Sequence, residues 1–257
     1  MLQGFTAPFT PRGAASLVAP PPWHYAGWLL NVAFECDRER AAAFVPPQVG
    51  AATGSGTVHF AEWQATTDGS ELLDPVQSQY RETIVLLDVE RPRGEPANFC
   101  PLIYVDQDVS LVRGLLQGWP KKMGSTWLTR SLPLEHPAAA PLRAGTRLGA
   151  SLCVKDRRLV EAHLELTGRP GEPLGFLARP TYGTVGWADL TRPAHAPELL
   201  HPRSLVSNRV GGAWHDARAE LTFLPVPREE LVDLAPRRTT RASAGWFAMT
   251  IEGAALD

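Results

Sequence analysis

The chain of 257 residues carries 25 Lys and Arg against 27 Asp and Glu, a formal net charge of −2, with 44% hydrophobic and 20% charged residues. That is enough chain to bury a core without a metal or disulfide staple, and it presents no charged field for nucleic acid or an anionic membrane. Its 24 prolines and 22 glycines favour short strands over long helices.

Residues 1–22 are rich in proline and small side chains and end in Ala19-Pro20-Pro21-Pro22. They are expected to form an extended arm, with a single domain over 23–257. Gly27–Glu35 is predicted as a strand, and Asp37–Ala43 as a short helix capped by Asp37 and stopped before Pro46. Gly54-Ser55-Gly56 and Gly211-Gly212 are expected to be turns. Val58–Trp63, Arg158–Leu166 and Ala217–Phe223 alternate between apolar and polar residues. That is the pattern of half-buried antiparallel strands. Thr83–Val89 is almost continuously apolar, as in a strand buried on both faces. Asp108–Gln117 is the strongest helix, with Val109, Val112 and Leu116 on one face and Gly118 after its end. Glu229–Leu234 is a second short helical candidate. Many spaced strands and few helices point to a mostly β fold, a closed or nearly closed antiparallel barrel.

Cys36, Cys100 and Cys153 are widely spaced, without a CxxC pair, and an odd number cannot all pair within one chain. The N-terminus lacks a basic, then apolar, leader pattern, and no apolar run is long enough to span a bilayer. A cytoplasmic protein is the expectation. The seven histidines show no metal-ligand spacing beside an acid, so no metal is expected. There is no GxSxG elbow and no full phosphate-cradling motif.

The most informative segment is Gln117-Gly118-Trp119-Pro120-Lys121-Lys122-Met123-Gly124. Two adjacent lysines stand among apolar residues with no acid within five positions on either side. A free lysine has a pKa of about 10.4 and is a nucleophile only when neutral. An apolar pocket or a second cation disfavours the ammonium form, an arrangement for which acetoacetate decarboxylase is itself the standard example. Adjacent lysines in a loop are more often solvated charge, so the pair alone decides nothing. Upstream, Glu82 enters the apolar strand at Ser78-Gln79-Tyr80-Arg81-Glu82. A carboxylate there needs a partner or a task; a salt bridge to Arg81 or Arg113 is the plainer explanation.

Taken together, these segments resemble the acetoacetate decarboxylase superfamily. Gly118–Gly124 is similar to its G-[aromatic]-P-K-K-[aliphatic]-G signature, and Tyr80-Arg81-Glu82 to its Y-x-E. Pro11-Arg12-Gly13, Tyr104–Asp108, Arg179–Tyr182 and Ala213-Trp214 also find counterparts, in order, over most of the chain. The resemblance implies a cone-shaped antiparallel β-barrel with a few short helices. It implies that Lys121 forms an imine, that Lys122 helps lower its pKa, and that Glu82 is the site acid, with Glu62 as a second family acid. Trp119, in the signature, and His24, beside Trp23 and Tyr25, are further candidates for the substrate pocket. Relatives form closed assemblies, which implies a homo-oligomer.

Departures narrow the expectation. Decarboxylating relatives carry an arginine four residues before an asparagine on the first strand; alignment on Asn31 puts Gly27 there. Leu115 follows Gly114 where those relatives have GRE. Pro21–Gly27, Ser78–Glu82 and Gln117–Lys122 instead resemble a branch of aldolase-dehydratases that condense pyruvate with an aldehyde. Some of that branch use a tyrosine on the last strand as proton donor, whereas Ala244–Ile251 offers Trp246 and Phe247. The resemblance therefore implies a keto acid and an aldehyde as substrates and no cofactor, with Tyr80 and Gln117 orienting the carboxylate and the water. The alternatives are decarboxylation of a β-keto acid through the same imine, and a non-catalytic or acid-base-only member such as a natural-product cyclase.

Overall fold

The computed structural model describes residues 1–257. It is built on one large sheet of eleven strands: β1 (Trp23–Glu35), β2 (Ala51–Thr66), β3 (Gln79–Glu90), β4 (Pro96–Val105), β5 (Lys121–Met123), β6 (Ser125–Leu128), β7 (Arg147–Val154), β8 (Arg157–Pro170), β9 (Thr181–Tyr182), β10 (Arg203–Phe223) and β11 (Arg238–Ala255). The helices are α1 (Arg38–Phe44), α2 (Pro75–Ser78) and α3 (Asp108–Gln117), with a few 3₁₀ turns. The protein is mostly β, 49% strand and 14% helix.

Strand order runs β11-β1-β2-β3-β4-β9-β10, and β10 pairs back with β11, so these seven strands form a near-closed ring. The pairings are antiparallel except where β5 and β9 lie parallel to β4. At 21 residues, β10 is long enough for two tasks. Its first part closes the ring, and its second part pairs with β8 and carries β7 and β6 beyond it. That extension covers the outer face of β1–β3: Trp28 Nε1 donates to the Thr129 carbonyl at 3.0 Å, and the Thr83 and Thr126 hydroxyls meet at 2.7 Å.

Strands β1–β3 are therefore buried on both faces, which accounts for the apolar run Thr83–Val89. Outward-facing Trp28, Leu30, Phe60, Val85 and Leu87 join a core shared with β7 and β8. Inward-facing Tyr25, Leu29, Trp63, Ile84 and Leu86 line a second core inside the ring. Each fully buried aliphatic side chain contributes roughly 1.5–3 kcal/mol. The N-terminal segment adds Val18 to the inner core, and Gln3 and Thr10 form a bridge within it.

The predicted strands are present but begin earlier or run longer than alternation alone indicated. Asp37 caps α1, its carboxylate accepting from the Glu39 and Arg40 amides. Helix α3 has the predicted bounds, and Glu229–Leu234 supplies a 3₁₀ turn over Leu231–Leu234. The two glycine-rich stretches are not turns. Gly54–Gly56 lies within β2 and Gly211–Gly212 within β10, each at a shift of strand register. Glycine inside a strand commonly marks such a bulge or a close backbone approach. No helix is long and apolar enough to cross a membrane.

Candidate active site

Lysine 121 is placed by the end of α3. Gln107 caps the helix start, its side chain accepting from the Ser110 amide, and Gly118 ends it in the left-handed conformation at φ 94°. That residue turns the chain back so that Trp119 N–H also bonds Gly114 C=O, a helix stop that glycine adopts without strain. The chain then enters the sheet as β5, with Lys121 opposite Ile103 of β4.

Successive strand residues point to opposite faces, and this separates the two lysines. Lys121 points into the ring and is 9% exposed. Its Nζ donates to Ser110 Oγ at 2.8 Å and pairs with Glu82 Oε2 at 3.0 Å. Its methylenes run over Gly114, where an added Cβ would lie 2.4 Å from Lys121 Cδ. Ser110 and Gly114 stand four apart on one face of α3, so the hydroxyl meets the amine while the missing side chain makes room for the stem.

Glu82 is 4% exposed and faces inward from β3. Its Oε1 accepts from Trp63 Nε1 at 2.6 Å. Neither Arg81 nor Arg113 is its partner. Arg81 pairs with Asp106, and Arg113 donates to Thr67 and approaches Glu71. Trp63 lies diagonal to Glu82 across the β2–β3 register and directly opposite Gly27 in the β1–β2 register. A Cβ on Gly27 would come within 2.4 Å of Trp63 Cε3. The indole therefore depends on glycine at that place.

The Tyr80 ring centre is 5.4 Å from Lys121 Nζ. Burial pushes the Tyr80 phenol well above its ordinary pKa, with Glu82 and Tyr25 adding to the effect. Burial also raises Tyr25 to about 12 against the opposing pull of Arg113. Both are neutral hydroxyl groups at physiological pH. Tyr25 lies opposite Met249 of β11, which brings a phenol beside the last strand although that strand has none.

These groups line one narrow pocket. Tyr25, Trp63, Tyr80, Glu82 and Lys121 line it, together with Gln117 and Trp119. Trp119 is fixed by a 2.8 Å bond from Nε1 to Ser204 Oγ and by an edge contact with Phe176. Gln117 Oε1 is buried without a hydrogen-bond partner, an oxygen left free to accept from a ligand or water.

Three of the residues singled out in the sequence stand elsewhere. Lys122 faces away from Lys121, its Nζ 2.5 Å from Glu229 Oε1, and Tyr104 donates to the other oxygen of that carboxylate at 2.7 Å. Its charge is satisfied on the far side of β5 and is not directed at the site amine. Glu62 points outward and forms a two-pronged pair with Arg130; the cavity position belongs to the next residue, Trp63. His24 also points outward, with Nδ1 2.9 Å from Thr250 Oγ1, while its neighbours Trp23 and Tyr25 enter the inner core.

Trp63, Ser110 and Tyr25 were not singled out as site residues in the sequence. The alternation of β1 and β2 held a signal for Tyr25 and Trp63, because both share parity with buried neighbours. Ser110 becomes visible only once Lys121 is known to return along α3.

The acetoacetate decarboxylase family model matches residues 6–257. The chain belongs to the acetoacetate decarboxylase family. The enduracididine biosynthesis enzyme MppR, in complex with the condensation product of pyruvate and imidazole 4-carboxaldehyde, superposes with a TM-score of 0.93 at 29% identity, covering 100% of this chain and 97% of that one. The same enzyme complexed with pyruvate gives 0.92 at 28%, covering 100% and 98%. An acetoacetate decarboxylase-like enzyme from Sphingomonas wittichii RW1 gives 0.89 at 25%, covering 99% of each chain. Acetoacetate decarboxylase from Legionella pneumophila shares the fold, with a TM-score of 0.75 at 14% identity over 93% of this chain and 88% of that one. No curated protein matches the chain in sequence.

Proposed function

We propose that this acetoacetate decarboxylase-family enzyme condenses pyruvate with an aldehyde through an imine on Lys121 and then eliminates water. The observation that carries this reading is the buried amine, held between Ser110 Oγ and the Glu82 carboxylate at the wall of a cavity. The pyruvate and condensation-product complexes of MppR support the choice of substrates.

At 3.0 Å, Glu82 is within reach to take a proton from the Lys121 ammonium. The freed amine attacks C2 of pyruvate, and loss of water gives a protonated imine. That group is an electron sink, so a C3 proton departs and an enamine forms. C3 then bonds to the aldehyde carbon, whose oxygen takes up a proton. Loss of that oxygen as water gives an unsaturated keto acid still joined to Lys121, and hydrolysis releases it. The balance is pyruvate plus aldehyde to product plus one water. Glu82 moves the protons, held in place by Trp63. Tyr80 and Tyr25, kept neutral by burial, are donors for oxygen atoms that gain charge. Gln117 Oε1 is an acceptor for water or hydroxyl. The lysine supplies the electron sink, so these steps require no cofactor.

Decarboxylation of a β-keto acid would use the same imine. Against it stands Gly27, where decarboxylating relatives are expected to hold the acid with arginine; here the Trp63 ring covers that site. The test is intact-protein mass spectrometry after borohydride treatment with pyruvate, followed by rate measurements with an aromatic aldehyde. One keto acid should be fixed to Lys121, and a new ultraviolet band should grow when both substrates are present. Full trapping in Lys121→Ala overturns the site. Rapid carbon dioxide release from acetoacetate with no condensation product overturns the reaction.

A further inference from the structure

The pocket that holds Lys121 has further polar groups in its lining. Its lining includes Thr181, Ser204, Arg179 and Arg209 as well as the lysine. Strand β4 measures the separation, since it pairs with Lys121 at Ile103 and with Thr181 at Asn98. Five residues of strand put these two levels roughly 15 Å apart.

These further lining groups are incompletely paired. Thr181 is 4% exposed, and its Oγ1 is buried without a hydrogen-bond partner. Arg179 reaches Asp88 through one terminal nitrogen at 3.3 Å, leaving other N–H groups of its planar fork for a second acceptor. Arg209 makes no ion pair and no side-chain hydrogen bond. Its position comes from a bulge: β10 spends three steps from Ser207 to Val210 while β11 spends two from Thr250 to Ala248, and Asn208 takes φ 46°. Such bulges re-aim side chains beside functional sites.

We propose that Arg209 and Arg179 form an anion subsite at the mouth of the cavity, so that the aldehyde carries a carboxylate at the end remote from its reacting carbon. The inference rests on the aldol reading above and adds the class of second substrate. Two guanidinium groups offer charge-assisted hydrogen bonds to a carboxylate, and Thr181 and Ser204 line the same cavity with hydroxyl groups. A neutral aldehyde of the same shape would leave the arginines with only solvent.

The test compares 4-carboxybenzaldehyde with 4-methylbenzaldehyde, which have nearly the same size, in condensation with pyruvate by the full-length protein. The readout is the ratio of the two kcat/KM values from the ultraviolet band. The native protein should prefer the carboxylate by about tenfold or more. Arg209→Gln should bring the ratio to within about twofold of unity, and Arg209→Lys, which keeps the charge, should lie between. Equal turnover of both aldehydes by the native protein overturns the subsite, as does an Arg209→Gln protein that keeps the full preference. If Arg209→Gln weakens borohydride trapping of pyruvate, Arg209 serves the keto acid instead, and the assignment also falls. Failure of pyruvate trapping in the native protein is a separate result, and it removes the aldol reading itself.

Discussion

Glu82→Gln separates the two tasks given to this carboxylate. The amide keeps the shape of the side chain and an oxygen for the Trp63 indole, but it cannot take a proton. Glu82 and Lys121 side chains are each 6% exposed, so the change leaves Lys121 in a dry site without its counter-charge. Removing one partner of a buried ion pair costs roughly 3–5 kcal/mol of stability, because the other charge is left in a dry site. Proton transfer is the other loss. A positioned acid-base group contributes typically about 10²–10⁴-fold, or roughly 3–5 kcal/mol of barrier. Condensation turnover should fall by that factor, while borohydride still fixes pyruvate to Lys121. Initial rates from the ultraviolet band, intact mass after trapping, and thermal melts are the measurements. Turnover within about threefold of the native rate refutes Glu82 as the proton carrier.

Gly114→Ala should abolish or strongly reduce trapping, because its Cβ would lie 2.4 Å from Lys121 Cδ in the space of the lysine stem; native-like trapping yield refutes the packing argument. Lys122→Met should leave the pH profile of turnover unmoved, since Lys122 is paired with Glu229 on the other face. It should lower stability by about 1–3 kcal/mol by leaving a buried carboxylate with one partner fewer; a displaced acid limb would return Lys122 to the site. His59 is fully enclosed, with Nδ1 2.7 Å from Asn31 Oδ1, and burial lowers its pKa to about 3. Unfolded histidine titrates near 6.5, so stability should fall as pH drops from about 6.5 toward 3, by up to roughly 4–5 kcal/mol. His59→Gln should flatten that slope in acid denaturation followed by circular dichroism, and an equally steep curve counts against the assignment.

The β class, the bounds of α3, the Asp37 cap and the doubly buried strand β3 were legible because each follows from local chemistry or residue period. The lysine motif was legible because its spacing is unusual and its setting apolar. The direction of a side chain was harder to read. Lys121 and Lys122 differ by one step on a three-residue strand, too short for a period to declare which faces inward. Glu62 and Trp63 posed the same problem on β2, where the apolar residues occur on both parities. A one-residue change of parity exchanges the whole inner set for the outer one. The partner of Glu82 was beyond sequence altogether, since Arg81, Arg113 and Lys121 were all available by charge, and only the return of β5 alongside β4 selects the lysine.

The Gly27 departure is better understood as one end of a chain of contacts than as the loss of a single arginine. Gly27 opens the space that the Trp63 ring occupies. The indole N–H then holds one oxygen of Glu82, and the other oxygen faces Lys121. Three strands, β1, β2 and β3, thus fix the acid relative to the amine through one residue each. Placing an arginine at 27 without changing Trp63 would force the two side chains into the same volume, and the first casualty would be the hydrogen bond that orients Glu82. An arginine at 27 would therefore need a change at 63, and it would also have to clear the Glu62 carbonyl, 2.5 Å from the same Cβ. The two positions face each other in the β1–β2 register, so their effects should couple strongly and fail to add.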